Sequence, residues 1–327
     1  MLLNVEGLTK TFKKKSNVSV AVDNVSFTVG QKECLGIIGE SGSGKSTTAN
    51  MIAGFYPPDS GSIFFNDTDL LSLSKRKQRE MRMDMQMVFQ NPAESFNPKI
   101  KLLNAIMEPL DIRGGMTSDE KKAKVMEALD MVDLKEEYAG KYGWQISGGE
   151  CQRAAIARAI VSRPKLLICD EVTSALDVSV QAQILKLLDN LRETLNMSYI
   201  FISHDLASVS SICDRVAVMY RGSVLEYGKT MDIVGIPRHP YTQDLLESVR
   251  NPGGQDIFER DEFPPENGCK YYLNCRIADE NCKSFTPEAS AEETYCLCRK
   301  QGNDRGQEPT QSDDPALTAV NVSGSGN

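Results

Sequence analysis

Residues 39–46 read Gly39-Glu40-Ser41-Gly42-Ser43-Gly44-Lys45-Ser46, which fits the pattern G-x-x-x-x-G-K-[ST]. The apolar run Cys34-Leu35-Gly36-Ile37-Ile38 precedes it and is typical of a buried strand, and a helical pattern follows from about Lys45 to Ala53. Glycines let such a loop wrap closely around phosphate oxygens, and the start of the following helix adds positive potential. The order of strand, glycine loop and helix therefore predicts an α/β unit with a phosphate site at its turn.

Within this loop the side chains have separate expected roles. Lys45 is expected to reach the β- and γ-phosphates of a nucleotide, and the Ser46 hydroxyl to ligate Mg²⁺. Thr47 is expected to bond the α-phosphate. The remaining predicted nucleotide contacts are Gly39, Ser41, Gly42, Ser43 and Gly44. A glycine-rich turn that binds nothing is the alternative, and the flanking strand and helix disfavour it.

A second apolar run ends in two carboxylates. Leu166-Leu167-Ile168-Cys169 reads as a buried strand, and Asp170 and Glu171 follow it directly. Ligands of parallel α/β sheets bind at the carboxyl ends of the strands. We therefore expect Asp170 to hold Mg²⁺ and Glu171 to act as general base on a water molecule. A solvated acidic turn is the alternative.

The composition and charge of the chain exclude several classes of protein. Of the 327 residues, 40% are hydrophobic and 25% are charged, as in ordinary globular proteins, and the net charge is −8. That acidity argues against a nucleic-acid partner. The sequence has neither an apolar run of about 18 residues nor the charge-then-apolar order of a secretory signal. We therefore predict a cytoplasmic protein that contacts a membrane only through partners.

The pattern along the chain predicts an α/β, P-loop NTPase core in residues 1–235. It begins with an alternating antiparallel β region and is interrupted by a helical insert at about 92–162. A small extension, residues 236–300, contains five of the nine cysteines. The last 27 residues, 301–327, are polar and are predicted to be disordered.

The segment Ile146-Ser147-Gly148-Gly149-Glu150 resembles the signature of the ABC ATPases, usually written LSGGQ. The resemblance implies that Ser147, Gly148 and Gly149 contact the γ-phosphate of ATP bound to an opposite subunit. Ile146 and Glu150 depart from the usual leucine and glutamine, and Glu150 adds a negative charge. The resemblance also implies four further nucleotide-site residues, which are Gln90 (Q-loop, near Mg²⁺), Asp177 (D-loop), His204 (switch) and Phe12 (against adenine).

For three of these residues a structural role is the alternative. Gln90 could be an ordinary loop residue, His204 a hydrogen-bonded histidine at a strand end, and Phe12 a core ring. The order and spacing of the motifs favour the functional interpretation of Gln90 and His204 most strongly.

Other segments resemble the ATPase subunits of oligopeptide, dipeptide and nickel importers. Asn91-Pro92 and Ser95-Phe96-Asn97-Pro98 follow Gln90, and His239-Pro240-Tyr241-Thr242 begins a helix past the core. The resemblance implies an ATP- and Mg²⁺-dependent ATPase at the cytoplasmic face of the membrane that drives peptide import, with nickel import as the alternative. It implies as partners a second, non-identical ABC ATPase subunit, two transmembrane permease subunits and an extracellular solute-binding protein.

The clustered cysteines suggest a metal site. Cys269, Cys275, Cys282 and Cys296 follow C-x5-C-x6-C-x13-C, with Cys298 as an alternative fourth ligand. Some members of the resembled group hold a four-iron, four-sulfur cluster with such cysteines, and structural zinc suits the same ligands. Reduced, unliganded thiols are the third possibility.

Two rival functions remain at this point. One is a non-transport ABC ATPase acting on DNA or ribosomes, which is disfavoured by the short span between Lys45 and Asp170 and by the single phosphate loop. The other is a subunit that binds ATP without hydrolysing it, which the complete set of motifs disfavours.

Overall fold

The protein is built on two β-sheets, and the computed structural model describes residues 1–14, 17–174, 176–250, 268–284, 294–298 and 300. The expected disordered tail, residues 301–327, lies outside the described residues. The strands are Leu3–Lys14 (β1), Asn17–Val29 (β2), Cys34–Ile38 (β3), Ser60–Phe65 (β4), Thr68–Asp69 (β5), Met85–Val88 (β6), Leu166–Asp170 (β7), Ser198–Ile202 (β8), Arg215–Tyr220 (β9), Ser223–Lys229 (β10) and Tyr295–Cys296 (β11). The α-helices are Lys45–Ala53 (α1), Lys75–Arg82 (α2), Leu102–Arg113 (α3), Ser118–Met131 (α4), Gly148–Ile160 (α5), Val178–Leu195 (α6), Leu206–Ile212 (α7), Thr230–Gly235 (α8) and Pro240–Arg250 (α9).

The larger sheet has the strand order β11-β10-β9-β3-β8-β7-β6. Its five strands β9, β3, β8, β7 and β6 are parallel, whereas β10 and β11 add antiparallel pairs at one edge. Every residue of β3, β7 and β8 is buried, as expected for parallel strands covered on both faces. The carboxyl ends of β3, β7 and β8 therefore meet at one edge of the sheet.

Alternate residues of these strands enter two separate cores. Leu167 and Cys169 face the core formed with helices α3 to α7. Leu166 and Ile168 face the core formed with α1 and the smaller sheet. Because strand side chains alternate with a period of two, one buried run supplies both cores.

The smaller sheet is antiparallel, with the order β2-β1-β4-β5. Inward residues such as Val5, Val25 and Phe27 are at most 1% exposed. Together the two sheets confirm the predicted α/β class with an antiparallel β subdomain.

A helical subdomain separates β6 from β7. Its α-helices are α3, α4 and α5, and short 3-10 helices at Ala93–Ser95, Glu136–Gly140 and Gly143–Gln145 connect them. Thr117 begins α4 with a capping box, in which its hydroxyl accepts from the Glu120 N–H while the Glu120 carboxylate accepts from the Thr117 N–H.

Beyond the core, α8 and α9 lead into the cysteine-containing extension. Residues 268–284 include a 3-10 helix at Glu280–Lys283, and β11 pairs with β10 through Glu226 opposite Cys296. In the part of the chain that the structure describes, none of the helices has the length and apolarity that crossing a bilayer requires.

Candidate nucleotide site

The phosphate loop joins β3 to α1, as the sequence predicts. Gly39 and Gly44 have φ angles of 149° and 102°. A Cβ on Gly39 would lie 2.1 Å from the Met219 carbonyl oxygen, and one on Gly44 would lie 2.4 Å from that of Ala21. Only glycine fits these two positions, because the loop runs directly against neighbouring backbone.

Lys45 lies under this loop and is only 4% exposed. Its Nζ donates to the carbonyl oxygens of Gly39 at 2.8 Å and Glu40 at 2.7 Å. Burial lowers the pKa of this ammonium, and the nearby carboxylates of Glu171 and Asp170 oppose that shift. Lys45 is therefore a buried cation that the carbonyls of its own loop hold in place.

Ser46 and Asp170 meet at the carboxyl ends of β3 and β7. The Ser46 hydroxyl donates to Asp170 Oδ1 at 3.0 Å. Burial raises the pKa of the Asp170 carboxyl, which is 7% exposed. A hydroxyl and a carboxylate are oxygen donors of the kind that Mg²⁺ prefers, so the pair fits a Mg²⁺ site beside the phosphate loop.

Glu171 lies between two other predicted residues, Gln90 and His204. Its Oε2 accepts a hydrogen bond from Gln90 Nε2 at 2.6 Å and lies 3.8 Å from His204 Nδ1. Its backbone is left-handed, with φ 48°, and its N–H donates to the Ile202 carbonyl oxygen on β8 at 3.0 Å. This conformation is uncommon for a residue other than glycine and turns the carboxylate away from the line of the strand.

These side chains border one cavity of about 430 Å³. Nine of the predicted residues line it. The tenth lining residue, Ala21 of β2, was not predicted from the sequence. Ala21 carries no functional group, so only the three-dimensional arrangement could have identified it. The predicted lining residues are Ser41, Gly42, Gly44, Lys45, Ser46, Thr47, Gln90, Glu171 and His204.

Several predicted residues lie outside that lining. Phe12 is on β1, 39% exposed, with its ring edge-on to Tyr56 at 5.7 Å between centroids. Asp177 immediately precedes α6, and Gly148 and Gly149 begin α5 in the helical subdomain. Gly39, Ser43 and Asp170 are also outside it, although the Asp170 carboxylate accepts a hydrogen bond from Ser46, which is in the lining.

The signature segment caps helix α5 through a residue that departs from the usual sequence. The Ser147 hydroxyl donates to Glu150 Oε2 at 2.8 Å, and the Ser147 N–H donates to the same oxygen at 2.8 Å. Tyr138, which sequence analysis did not single out, donates its hydroxyl proton to the other Glu150 oxygen. The Tyr138 bond is the largest cause that lowers the pKa of Glu150, so the signature carries a negative charge.

A larger groove of about 870 Å³ adjoins the nucleotide cavity and shares Gln90 with it. The groove lies between the sheet and the helical subdomain. Phe55 and Phe89 on one wall are 57% and 36% exposed, with ring centroids 5.6 Å apart, and Ile112 on the other is 70% exposed. These exposed apolar side chains among polar ones make the groove suitable for a protein partner.

The cysteines of the extension do not all converge. Cys269, Cys275, Cys282 and Cys298 line a small cavity with His239, whose Nε2 lies 3.8 Å from Cys269 Sγ. Cys296, the preferred fourth ligand in the sequence analysis, is not in that lining, because it is buried on β11 opposite Glu226. Among the residues described here, no three His, Cys, Asp or Glu side chains form a group that could hold a metal ion, so the expected metal centre is not confirmed.

In this protein the central strand of a parallel sheet leads into a phosphate loop, and Ser-Gly-Gly begins helix α5 of a helical subdomain. These two features together define the class of ABC ATPases. A family model described as ABC transporter matches residues 22–174, and one described as oligopeptide/dipeptide transporter, C-terminal region, matches residues 225–282. The chain belongs to this family of ABC transporter ATP-binding subunits. The predicted assignment as an ATPase is thereby confirmed.

Individual relatives agree with this placement. The oligopeptide transport ATP-binding protein AppF of Bacillus subtilis is 43% identical over 85% of this chain and 88% of its own length. The oligopeptide transport ATP-binding protein OppF of Haemophilus influenzae is 38% identical over 91% of this chain and 97% of its own. The dimeric cassette MJ0796, solved in a post-hydrolysis state with ADP and Pi, has a TM-score of 0.65 and 30% identity, and the match covers 70% of this chain and 99% of that one.

Proposed function

We propose that the cavity bordered by the phosphate loop binds ATP with Mg²⁺ and that the residues around Glu171 carry out its hydrolysis. Lys45 leaves the carbonyls of its own loop for the β- and γ-phosphates, whose negative charge compensates its burial better than neutral carbonyls do. Ser46 and Asp170 hold the Mg²⁺ ion. When bound, that ion neutralises charge on the phosphate oxygens during transfer.

Glu171 acts as the general base. Its carboxylate accepts a proton from the attacking water, which Gln90 orients from one side, while His204 contacts the γ-phosphate from the other. The support for these roles is that both side chains reach the same carboxylate oxygen from the ends of separate strands. A hydrogen-bonded base of this kind accelerates proton transfer by about 10²–10⁴-fold.

The chain works as half of a pair of ATPase subunits. Ser147, Gly148 and Gly149 lie outside the lining of this chain's own cavity, and their helix N-terminus suits an anion that a second subunit supplies. The dimeric state of MJ0796 supports the same arrangement. Asp177 and Phe12 are assigned to the subunit contact and the adenine ring, respectively.

The assembled protein drives the import of oligopeptides or dipeptides from the cytoplasmic face of the membrane. The relatives AppF and OppF are named for oligopeptide transport, and this favours peptides over nickel. One of the two permease subunits docks in the groove beside Gln90, so the permease contact and the nucleotide cavity share one side chain. A solute-binding protein delivers the peptide from the other side.

Isolation of the complex under mild detergent tests this assignment. We expect two permeases, a second ATPase and a solute-binding protein to co-purify, and reconstituted complex to hydrolyse ATP faster when peptide-loaded binding protein is present. Nickel-loaded binding protein gives no stimulation in this account. Stimulation by nickel alone, or co-purification with ribosomes or DNA, would overturn it.

The cysteine cavity is proposed to hold a four-iron, four-sulfur cluster through Cys269, Cys275, Cys282 and Cys298. Thiolates around a cluster lie farther apart than those around one ion, so four cysteines can share a cavity without forming a single-ion group. Cys298 replaces Cys296 because it lies beyond the paired part of β11. Anaerobically purified protein should absorb at about 400 nm and contain iron. Colourless protein, with zinc or no metal, would rule out the cluster.

A further inference from the structure

The phosphate loop is held from behind by a residue of the C-terminal extension. The Glu40 N–H donates to the Tyr241 hydroxyl at 3.2 Å. Glu40 does not line the nucleotide cavity, although Ser41 and Gly42 do, so this N–H faces away from the phosphates. The Tyr241 side chain is fully buried at the start of α9, 201 residues farther along the chain.

Three tyrosine rings from three separate segments fix the position of that hydroxyl. Tyr220 ends β9, Tyr241 lies on α9, and Tyr271 lies between Cys269 and Cys275. The centroid of Tyr241 is 4.6 Å from that of Tyr220 and 5.2 Å from that of Tyr271, and all three rings are at most 2% exposed. Packed rings at these distances attract one another beyond their simple burial.

The same tyrosine trio supports a second contact with the loop. The β9–β10 turn follows Tyr220 directly, and the Gly222 N–H in that turn donates to the Ser43 carbonyl oxygen at 2.9 Å. Gly222 O in turn accepts from the Asp23 N–H at 2.8 Å. The phosphate loop is therefore tied at Glu40 and at Ser43, and both ties lead to the trio.

Side chains next to the cysteines hold these supports in place. Asn274 Nδ2 donates to the Tyr220 hydroxyl at 3.2 Å, and Tyr271 donates its hydroxyl proton to Asp244 on α9 at 2.6 Å. Lys270 forms a 2.8 Å ion pair with Asp23. Residues 270–274 thus contact β2, the end of β9 and α9, which are the three segments linked to the phosphate loop.

We propose that Tyr241 is a positioning residue for the phosphate loop and that the segment from Cys269 to Cys275 holds it in place. The C-terminal extension thereby sets the affinity for ATP. Without the Tyr241 hydroxyl, the half-buried Glu40 N–H loses the acceptor that holds it, and the loop populates conformations that do not accept phosphate. The apparent affinity for ATP falls in proportion to the fraction of molecules whose loop can accept phosphate. Once ATP is bound, it holds the loop in the conformation that accepts phosphate, so turnover at saturating ATP is unaffected.

Tyr241→Phe in the full-length chain tests the proposal, with Tyr271→Phe as the matched control. Tyr271→Phe removes a hydroxyl from the same trio, but that hydroxyl bonds Asp244 rather than the loop. We expect the dissociation constant for ATP to rise about tenfold in Tyr241→Phe, with kcat at saturating ATP within about twofold of wild type. Tyr271→Phe should leave both values within about twofold, because the ring contact with Tyr241 remains when only the bond to Asp244 is lost.

The second half of the proposal is tested by Tyr271→Ala, which removes a ring from the trio and should also raise the dissociation constant several-fold. Hydrogen exchange over residues 38–46 gives an independent readout in folded protein, and faster exchange is expected in Tyr241→Phe. Wild-type affinity and exchange in Tyr241→Phe would overturn the positioning role. Equal losses in the two Phe variants would also overturn it, since packing alone would then explain them.

The inference rests on the assignment of residues 39–46 as the ATP phosphate site, and Lys45→Ala tests that assignment separately. If Lys45→Ala binds ATP normally, the site itself is wrong. If only Tyr241→Phe behaves as wild type, the site stands and the link to the extension fails.

Discussion

The nucleotide cavity and the cysteine cavity are built in different ways. Apart from Ala21 of β2, the residues of the nucleotide cavity follow β3, β6, β7 and β8 of one parallel sheet, so strand pairing brings them together. The cysteine cavity is assembled from the start of α9, the segment at residues 268–284 and the residues that follow β11. The nucleotide cavity therefore depends on the pairing of the larger sheet, whereas the cysteine cavity depends on contacts between three separate segments.

Lys45→Ala is expected to have the largest effect, and it should be confined to the nucleotide cavity. It removes the buried cation of the phosphate loop, so we expect ATP hydrolysis to fall by at least about 100-fold. Iron content should stay at the wild-type level, because the cysteine cavity takes no support from this side chain. Steady-state hydrolysis and iron analysis of the same preparation measure both. A parallel loss of iron would show that the cysteine cavity depends on the Lys45 side chain.

A pair of cysteine variants should have the next largest effect. Cys282→Ser removes a cysteine sulfur that lines the cysteine cavity, and we expect most of the iron to be lost. Cys296→Ser is the matched control, since Cys296 lies opposite Glu226 on the paired strand, and iron should be retained. Loss of iron in Cys296→Ser would restore Cys296 as a ligand. ATP affinity in Cys282→Ser should weaken only several-fold, through the contacts of residues 270–274.

Glu150→Gln should have a smaller effect, and it should raise ATP hydrolysis rather than lower it. Glutamine can keep the capping box with Ser147 while removing a negative charge from the signature. We expect hydrolysis at low ATP to rise about two- to fivefold, because the phosphates of the opposite site are no longer repelled. The gain should shrink at high ionic strength, which screens exposed charges. A salt-independent loss of activity would instead mean that Glu150 is needed for signature geometry.

Much of the nucleotide cavity could be predicted because its residues adjoin strongly patterned elements. The run Cys34–Ile38 and helix Lys45–Ala53 have the predicted bounds, so the loop between them could be placed residue by residue. Gln90 and His204 were identified only through resemblance to a family, since a glutamine or a histidine after a strand has many structural uses.

What could not be predicted depends on contacts between distant segments. No local pattern reveals that Tyr241 reaches Glu40 or that Tyr138 reaches Glu150. The choice between Cys296 and Cys298 depends on where pairing with β10 ends, and spacing in the sequence does not encode that point.

The most direct test of the central claim is Glu171→Gln in the assembled transporter, with Glu136→Gln on the exposed 3-10 helix as control. If Glu171 is the general base of the nucleotide cavity, turnover falls by at least about 100-fold while the dissociation constant for ATP changes by less than about twofold. Glu136→Gln should match wild type in both. Wild-type turnover in Glu171→Gln would contradict the account.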